Sequence, residues 1–141
     1  MIIQSTNTNM AKKFLTLGAA MAAISVVFGA FGAHALKTKL SVENIQIFET
    51  GVRYQMYHSL ALILVYLFYQ KKNSSLLIYS GVFFISGVLL FSGSIYLLAC
   101  RELFGIESWK NVLGPITPMG GLCFIIGWIC FLTASIKDIE K

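Results

Sequence analysis

Apolar residues in this chain come in long unbroken blocks, and short clusters of charge separate the blocks. Residues 14–36 contain no Asp, Glu, Lys or Arg across 23 positions. A helix of that length, at 1.5 Å per residue, covers a hydrocarbon core of about 30 Å. The block therefore predicts a first membrane span. A cleaved signal peptide is the rival reading, since Lys12-Lys13 precede the block and Ala33-His34-Ala35 imitates a cleavage site. The block is longer than the usual apolar region of about 7–15 residues, which favours a span.

Residues 37–55, KTKLSVENIQIFETGVRYQ, have a different rhythm. Ser41 stands where a helix N-cap belongs, with Glu43 in the first turn. Ile45, Phe48 and Val52 then repeat at helical spacing, and Glu49 and Arg53 fall four apart on the polar side. This predicts an amphipathic helix over about 41–55, on or near the membrane surface. The apolar run after it, 56–69, is short, so the predicted second span takes in Tyr54-Gln55 and runs over about 54–70. Lys71-Lys72-Asn73 is a turn, and a third span follows over about 76–100. A charged loop, 101–111, leads to Gly114-Pro115 and Pro118, which open a fourth span over about 114–136. Residues 1–13 read as a disordered cytoplasmic tail and 137–141 as a C-terminal tail. The expected fold is an all-α membrane protein, a bundle of four transmembrane helices with an amphipathic helix between spans one and two.

Composition agrees with lipid as the solvent. Of 141 residues, 57% are hydrophobic and 12% charged, about half the charged share of a soluble domain. The net charge is +5, but the basic residues sit between the blocks, so no nucleic-acid patch is expected. Four spans place both termini on one side. The two tails and the 71–73 turn hold six Lys or Arg, the other two loops five. That balance is nearly even, and the Lys12-Lys13 end of span one decides for both termini in the cytoplasm of a cell-membrane protein. Cys100, Cys123 and Cys130 form neither a CxxC motif nor a His cluster and read as apolar filler.

In lipid, helices associate through close approach at small residues. Gly18, Ser25 and Gly32 recur every seven positions in span one, with Gly29 on the same stripe. Ser80, Gly87 and Ser94 do so in span three, with Gly93 beside them, and Gly120, Gly127 and Ala134 in span four. Seven residues are close to two turns, so each set predicts a packing seam.

The candidate chemistry gathers at the outer end. His34 and His58 are expected on the same membrane face, where two histidines at one depth could bind metal or haem. No further ligand has the right spacing, so the plainer reading is a histidine bonded to a backbone carbonyl or a tyrosine. No metal and no cofactor are expected. Glu49, Arg53 and Tyr57 share one face of the second helix, with Tyr54 and His58 as a second pair. A Glu–Arg pair at the mouth of a span is a bundle lock or part of a ligand site. Ser92, Ser94, Tyr96 and Thr117 extend the same polar end. The sequence has no GxSxG, HExxH or P-loop.

Four motifs in order, GAFGAHAL, FETGVRYQMYHSLAL, FSGSIY and GPITPMGG followed by GW, resemble the domain-of-unknown-function 423 family of small bacterial membrane proteins, which is related to transmembrane protein 256. The resemblance runs from about Phe14 to Ala134 and carries the family's pattern onto His34, Phe48, Glu49, Thr50, Tyr54, Gln55, Met56, His58, Ser92, Gly93, Ser94, Tyr96, Thr117, Pro118, Gly120 and Gly121. Gly51 stands where the pattern leads one to expect alanine. The resemblance implies an integral membrane protein and no particular activity. The expectation is a non-enzymatic structural, accessory or partner-binding subunit among membrane lipids, with a second copy or another membrane protein as partner. Two alternatives stand beside it. One is a small transporter or channel using His34, Glu49, Arg53 and His58; the other is a lipid, quinone or haem binder.

Overall fold

The computed structural model describes the backbone of residues 2–139 and the side chains of residues 7–136. Every regular element among them is helical. Helix α1 (Ile2–Phe31) runs into a π-helical turn, Gly32–Leu36. Helix α2 (Val42–Lys71) follows, then α3 (Ser75–Gly87), a second π-helical turn (Val88–Ser92) and α4 (Gly93–Ala99). A short helix α5 (Arg101–Phe104) ends at Gly105, whose φ of 64° is the left-handed conformation that glycine adopts without penalty. A 3₁₀ turn (Glu107–Trp109) leads into α6 (Lys110–Ile139).

These boundaries correct several expectations. The disordered tail over 1–13 gives way to helix from Ile2, and Ala11 is packed into the core. The part of that expectation resting on the side chains of residues 1–6 lies outside the described residues, as does that resting on the side chains of 137–141. The amphipathic stretch and the second span are one helix. Ser41 caps it, its hydroxyl accepting from the Asn44 N–H at 3.2 Å, and no breaker follows between Val52 and Tyr57. Helix α6 starts earlier than its prolines suggest, so Pro115 and Pro118 lie inside it. They leave free the carbonyls of Asn111 and Gly114, both of them exposed residues.

Three stretches are long and apolar enough to cross a bilayer: Asn7–Leu36, Ser75–Ala99 and Glu107–Ile136. Four were expected, and α2 is the one outside this set. Helix α2 falls short because it carries Glu43, Glu49 and Arg53 on exposed positions and Asn44, Gln55, His58 and Ser59 on buried ones.

Helix α1 packs along α2, α6 along the α3–α4 segment, and α2 faces α3 and α4. The larger core joins α1, α2, α3 and α6 through Ala11, Phe14, Leu62, Val65, Phe84, Phe124 and Ala134. A smaller core holds Leu36, Phe48, Ala99 and Cys100 at the end of the bundle beside the 37–41 loop, called the outer end after the expected topology. The contacts are close because small residues line them. A Cβ added at Gly18 would stand 2.8 Å from the Ser59 carbonyl oxygen, and one at Gly127 would stand 2.7 Å from the Phe84 ring. Gly32 lies under Phe48, Gly87 under Phe124, and Gly120 against the Phe91 backbone in the second π turn. Ser25 and Ser80 are fully buried, and Gly29 is in ordinary contact with Val52. Gly93 is the exception, with open space around its missing side chain, so it is not a packing position. Gly51 and Gly81 make equally close approaches, to Tyr96 and Phe14. An alanine at 51 would stand 2.8 Å from the Tyr96 ring.

Candidate functional site

The polar side chains inside the bundle hold helices to one another. Gln55, in the middle of α2, is buried. Its Nε2 donates to the Met21 carbonyl of α1 at 2.9 Å, and its Oε1 accepts from the Tyr96 hydroxyl of α4 at 2.9 Å. One amide thus ties three helices. Ser25 of α1 donates to the Val52 carbonyl at 2.7 Å, and Ser59 donates to the Gln55 carbonyl at 2.6 Å. Tyr96 also packs its ring against Phe28 and Phe48, with centroids at 5.0 and 4.9 Å. Nearer the outer end, Arg101 Nη1 donates to Asn44 Oδ1 at 3.3 Å and to the Leu98 carbonyl at 2.8 Å. Its Nη2 pairs with Glu102 at 3.3 Å.

His58 forms a second knot. Its Nδ1–H donates to the Tyr54 carbonyl at 2.8 Å, and its Nε2 accepts from the Trp128 indole N–H of α6 at 3.2 Å. That pair of bonds requires the neutral imidazole protonated on Nδ1, and it leaves neither ring nitrogen free. The ring lies flat on Phe124, with centroids 3.5 Å apart. Tyr54 and Phe91 complete the aromatic floor of a groove of about 600 Å³ between α2 and α6. Ser94 and Thr117 join α4 to α6 through hydroxyls 2.7 Å apart. Ser80 and Ser92 bury hydroxyls with no partner among the described residues.

The single polar cluster expected at the outer end is corrected to a ladder spread along the bundle. The Ser25–Val52 contact sets the register of α1 on α2. From it, His34 lies nine residues toward the outer end and His58 six toward the inner end. At 1.5 Å per residue they are about 22 Å apart in depth. They cannot share a metal or a haem. His34 is exposed on the first π turn. Glu49 and Arg53 form no ion pair with each other: Arg53 donates to Thr50 at 3.2 Å, and both are exposed. Tyr57 is exposed as well. Among the described residues, no three of His, Cys, Asp and Glu gather as a metal site. Sequence reasoning missed Gln55, Asn44, Arg101 and Trp128 as contributors. A signal existed for Gln55, since an amide within an apolar run must find partners in lipid.

A second cavity, about 610 Å³, opens at the outer end. Phe28, Phe31, Leu36, Phe48 and Phe104 make it apolar, and Lys39 supplies its one charge.

The family model described as "Protein of unknown function (DUF423)" matches residues 28–121. The chain belongs to this family. The DUF423 match takes in the outer part of α1, all of α2 and the α3–α4 segment, and stops short of Trp128. Relatives extend the likeness over nearly the whole chain. The UPF0382 membrane protein YwdK of Bacillus subtilis is 41% identical over 128 residues, covering 89% of this chain and 98% of the relative. The UPF0382 membrane protein SH2409 of Staphylococcus haemolyticus is 40% identical, covering 91% and 98%. The UPF0382 inner membrane protein YgdD of Escherichia coli is 36% identical over 133 residues, covering 94% and 96%. No solved structure matches the chain.

Proposed function

We propose that this DUF423 protein is a non-enzymatic membrane subunit whose chain crosses the bilayer four times, with both termini in the cytoplasm. The observation that carries the reading is the use made of the buried polar groups. Gln55, His58, Ser59, Ser94 and Tyr96 each bond to a neighbouring helix or to their own backbone, and they converge on no common reactive point. The same fact supports α2 as the fourth crossing. Its buried polar residues, Gln55, His58 and Ser59, lower its hydropathy, but they are sheltered and paired, so they do not face lipid unsatisfied. Helix α2 also lies along α1, which is apolar enough to span. The lock of the bundle is Gln55, not a Glu49–Arg53 pair.

Two measurements test this. In intact cells, an impermeant maleimide should label Thr38→Cys and Ser108→Cys and spare Asn73→Cys. Labelling of positions 38 and 73 from the same side would remove the crossing by α2. In proteoliposomes, the protein should pass no protons or small ions above the empty-vesicle rate. A proton flux abolished by His58→Phe would replace this reading with a transporter.

The outer cavity favours a second reading, an accessory subunit holding an amphiphile with an apolar tail and an anionic head beside Lys39. Loss of tightly copurifying lipid on Lys39→Gln would support it, and unchanged lipid content would end it.

A further inference from the structure

Helix α2 carries two exposed charges at a depth where its neighbour carries none. Ser25 is the central residue of the uncharged stretch 14–36 of α1, and its hydroxyl bonds the Val52 carbonyl. Arg53 follows Val52 directly, and Glu49 lies one turn nearer the outer end. Both face away from the bundle. The exposed stripe of α2 is therefore apolar only from Tyr57 to about Phe68, roughly 17 Å at 1.5 Å per residue. Helix α1 offers 23 uncharged residues, about 34 Å. Lipid against α2 would have to thin by half, or solvate a carboxylate and a guanidinium inside the hydrocarbon.

The stripe also has a regular repeat. Gln46, Thr50, Arg53, Tyr57, Leu60, Leu64 and Leu67 alternate at spacings of four and three, the seam of a left-handed helix pair. Tyr57, Leu60, Leu64 and Leu67 are each exposed, Tyr57 by 57%.

We infer that this face docks a second copy of the chain, with a two-fold axis along the membrane normal and the two α2 helices side by side. The charges choose a second copy over another occupant. In a parallel pair, Glu49 and Arg53 of one copy lie at the depths of the same residues in the other. A helical side chain leans toward the helix N-terminus, which for α2 is the outer end. Both side chains lean that way, and the longer arginine carries its guanidinium further, toward the level of the second copy's Glu49; symmetry makes the pairing reciprocal. A charge that is intolerable toward lipid becomes half of a neutral pair, and the apolar lower half of the stripe supplies the packing. Anionic lipid would satisfy Arg53 and leave Glu49 worse off.

The inference rests on α2 crossing the membrane, which the labelling of positions 38 and 73 tests separately. Its own test is oxidative crosslinking in native membranes, in a background with Cys100, Cys123 and Cys130 changed to Ala. Tyr57→Cys and Leu60→Cys should give a disulfide-linked dimer. Val26→Cys on α1 and Ile129→Cys on α6, equally exposed, should stay monomeric. With Tyr57→Cys as reporter, Glu49→Arg or Arg53→Glu should each cut the dimer yield at least tenfold, and the double exchange should recover most of it. Equal crosslinking at position 26 or 129, or indifference to the single charge reversals, overturns the proposal. So does a monomer that retains anionic lipid and loses it on Arg53→Gln.

Discussion

Replacing Gln55 by leucine is the sharpest test of how the bundle is held. The side chain keeps nearly the same volume, so packing changes little. Two interhelical hydrogen bonds disappear, one to the Met21 carbonyl and one from the Tyr96 hydroxyl. Interhelical side-chain bonds in membrane proteins average about 0.6 kcal/mol each, so the direct loss is about 1.2 kcal/mol. The Met21 carbonyl keeps its own helix bond, whereas the Tyr96 hydroxyl loses the partner that α2 supplies, which adds about 1 kcal/mol. The expected total is about 2 kcal/mol.

The Tyr96→Phe change gives the second side of a double-mutant cycle. It removes the same bond from the other end and leaves Gln55 tied to Met21. In Gln55→Leu with Tyr96→Phe, the shared bond is lost only once and no hydroxyl is stranded, so the double variant should be more stable than the sum of the singles by about 1.6 kcal/mol. The assay is reversible unfolding in mixed micelles, titrated with a denaturing detergent and followed by circular dichroism. Strict additivity would mean that Gln55 and Tyr96 are not coupled. A Gln55→Leu variant as stable as the wild type would refute the amide as the lock.

Other substitutions read other contacts by the same unfolding assay. Gly120→Ala should destabilise by more than 2 kcal/mol, because its Cβ would overlap the Phe91 backbone, which cannot move aside as a side chain can. Gly93→Ala should stabilise by up to about 1 kcal/mol, since nothing lies within 4 Å and alanine is the better helix former. His58→Phe keeps a flat ring on Phe124 but removes the acceptor of the Trp128 indole, so a loss of about 1 kcal/mol is expected, and Trp128→Phe added to it should cost little more. Asn44→Leu should loosen the start of α2 by about 1 kcal/mol, because Arg101 then keeps only Leu98 and Glu102 as acceptors.

The membrane character and the helix content were legible because they depend on long runs, and a run of 23 uncharged residues admits few readings. The seven-residue seams were legible for a related reason. Close helix contact in lipid requires small residues at fixed spacing, and Gly18, Gly87, Gly120 and Gly127 all meet a neighbour closely enough to exclude a side chain. Gly93 shares the composition and not the contact, because spacing alone does not say which way a helix is rolled. The second helix was harder. Its polar residues look like a surface helix when counted along the chain. Only the neighbours of each side chain show that Gln55 and His58 face inward while Glu49 and Arg53 face out.

The depth of the histidines failed for a physical reason that applies beyond this chain. Span boundaries drawn from hydropathy placed the start of span two at Tyr54, so His58 fell near an end. The helix in fact begins at Val42, and His58 is four turns along it. An amphipathic stretch that continues without a breaker adds its full length to the span and shifts every later residue inward. The polar groups were then assigned to one end, where they would meet water, when they lie at successive depths and bond to neighbouring helices or to their own backbone. A ladder of that kind locks the register of α1, α2, α4 and α6 at several depths, and it leaves the exposed charges of α2 as the groups still in need of a partner.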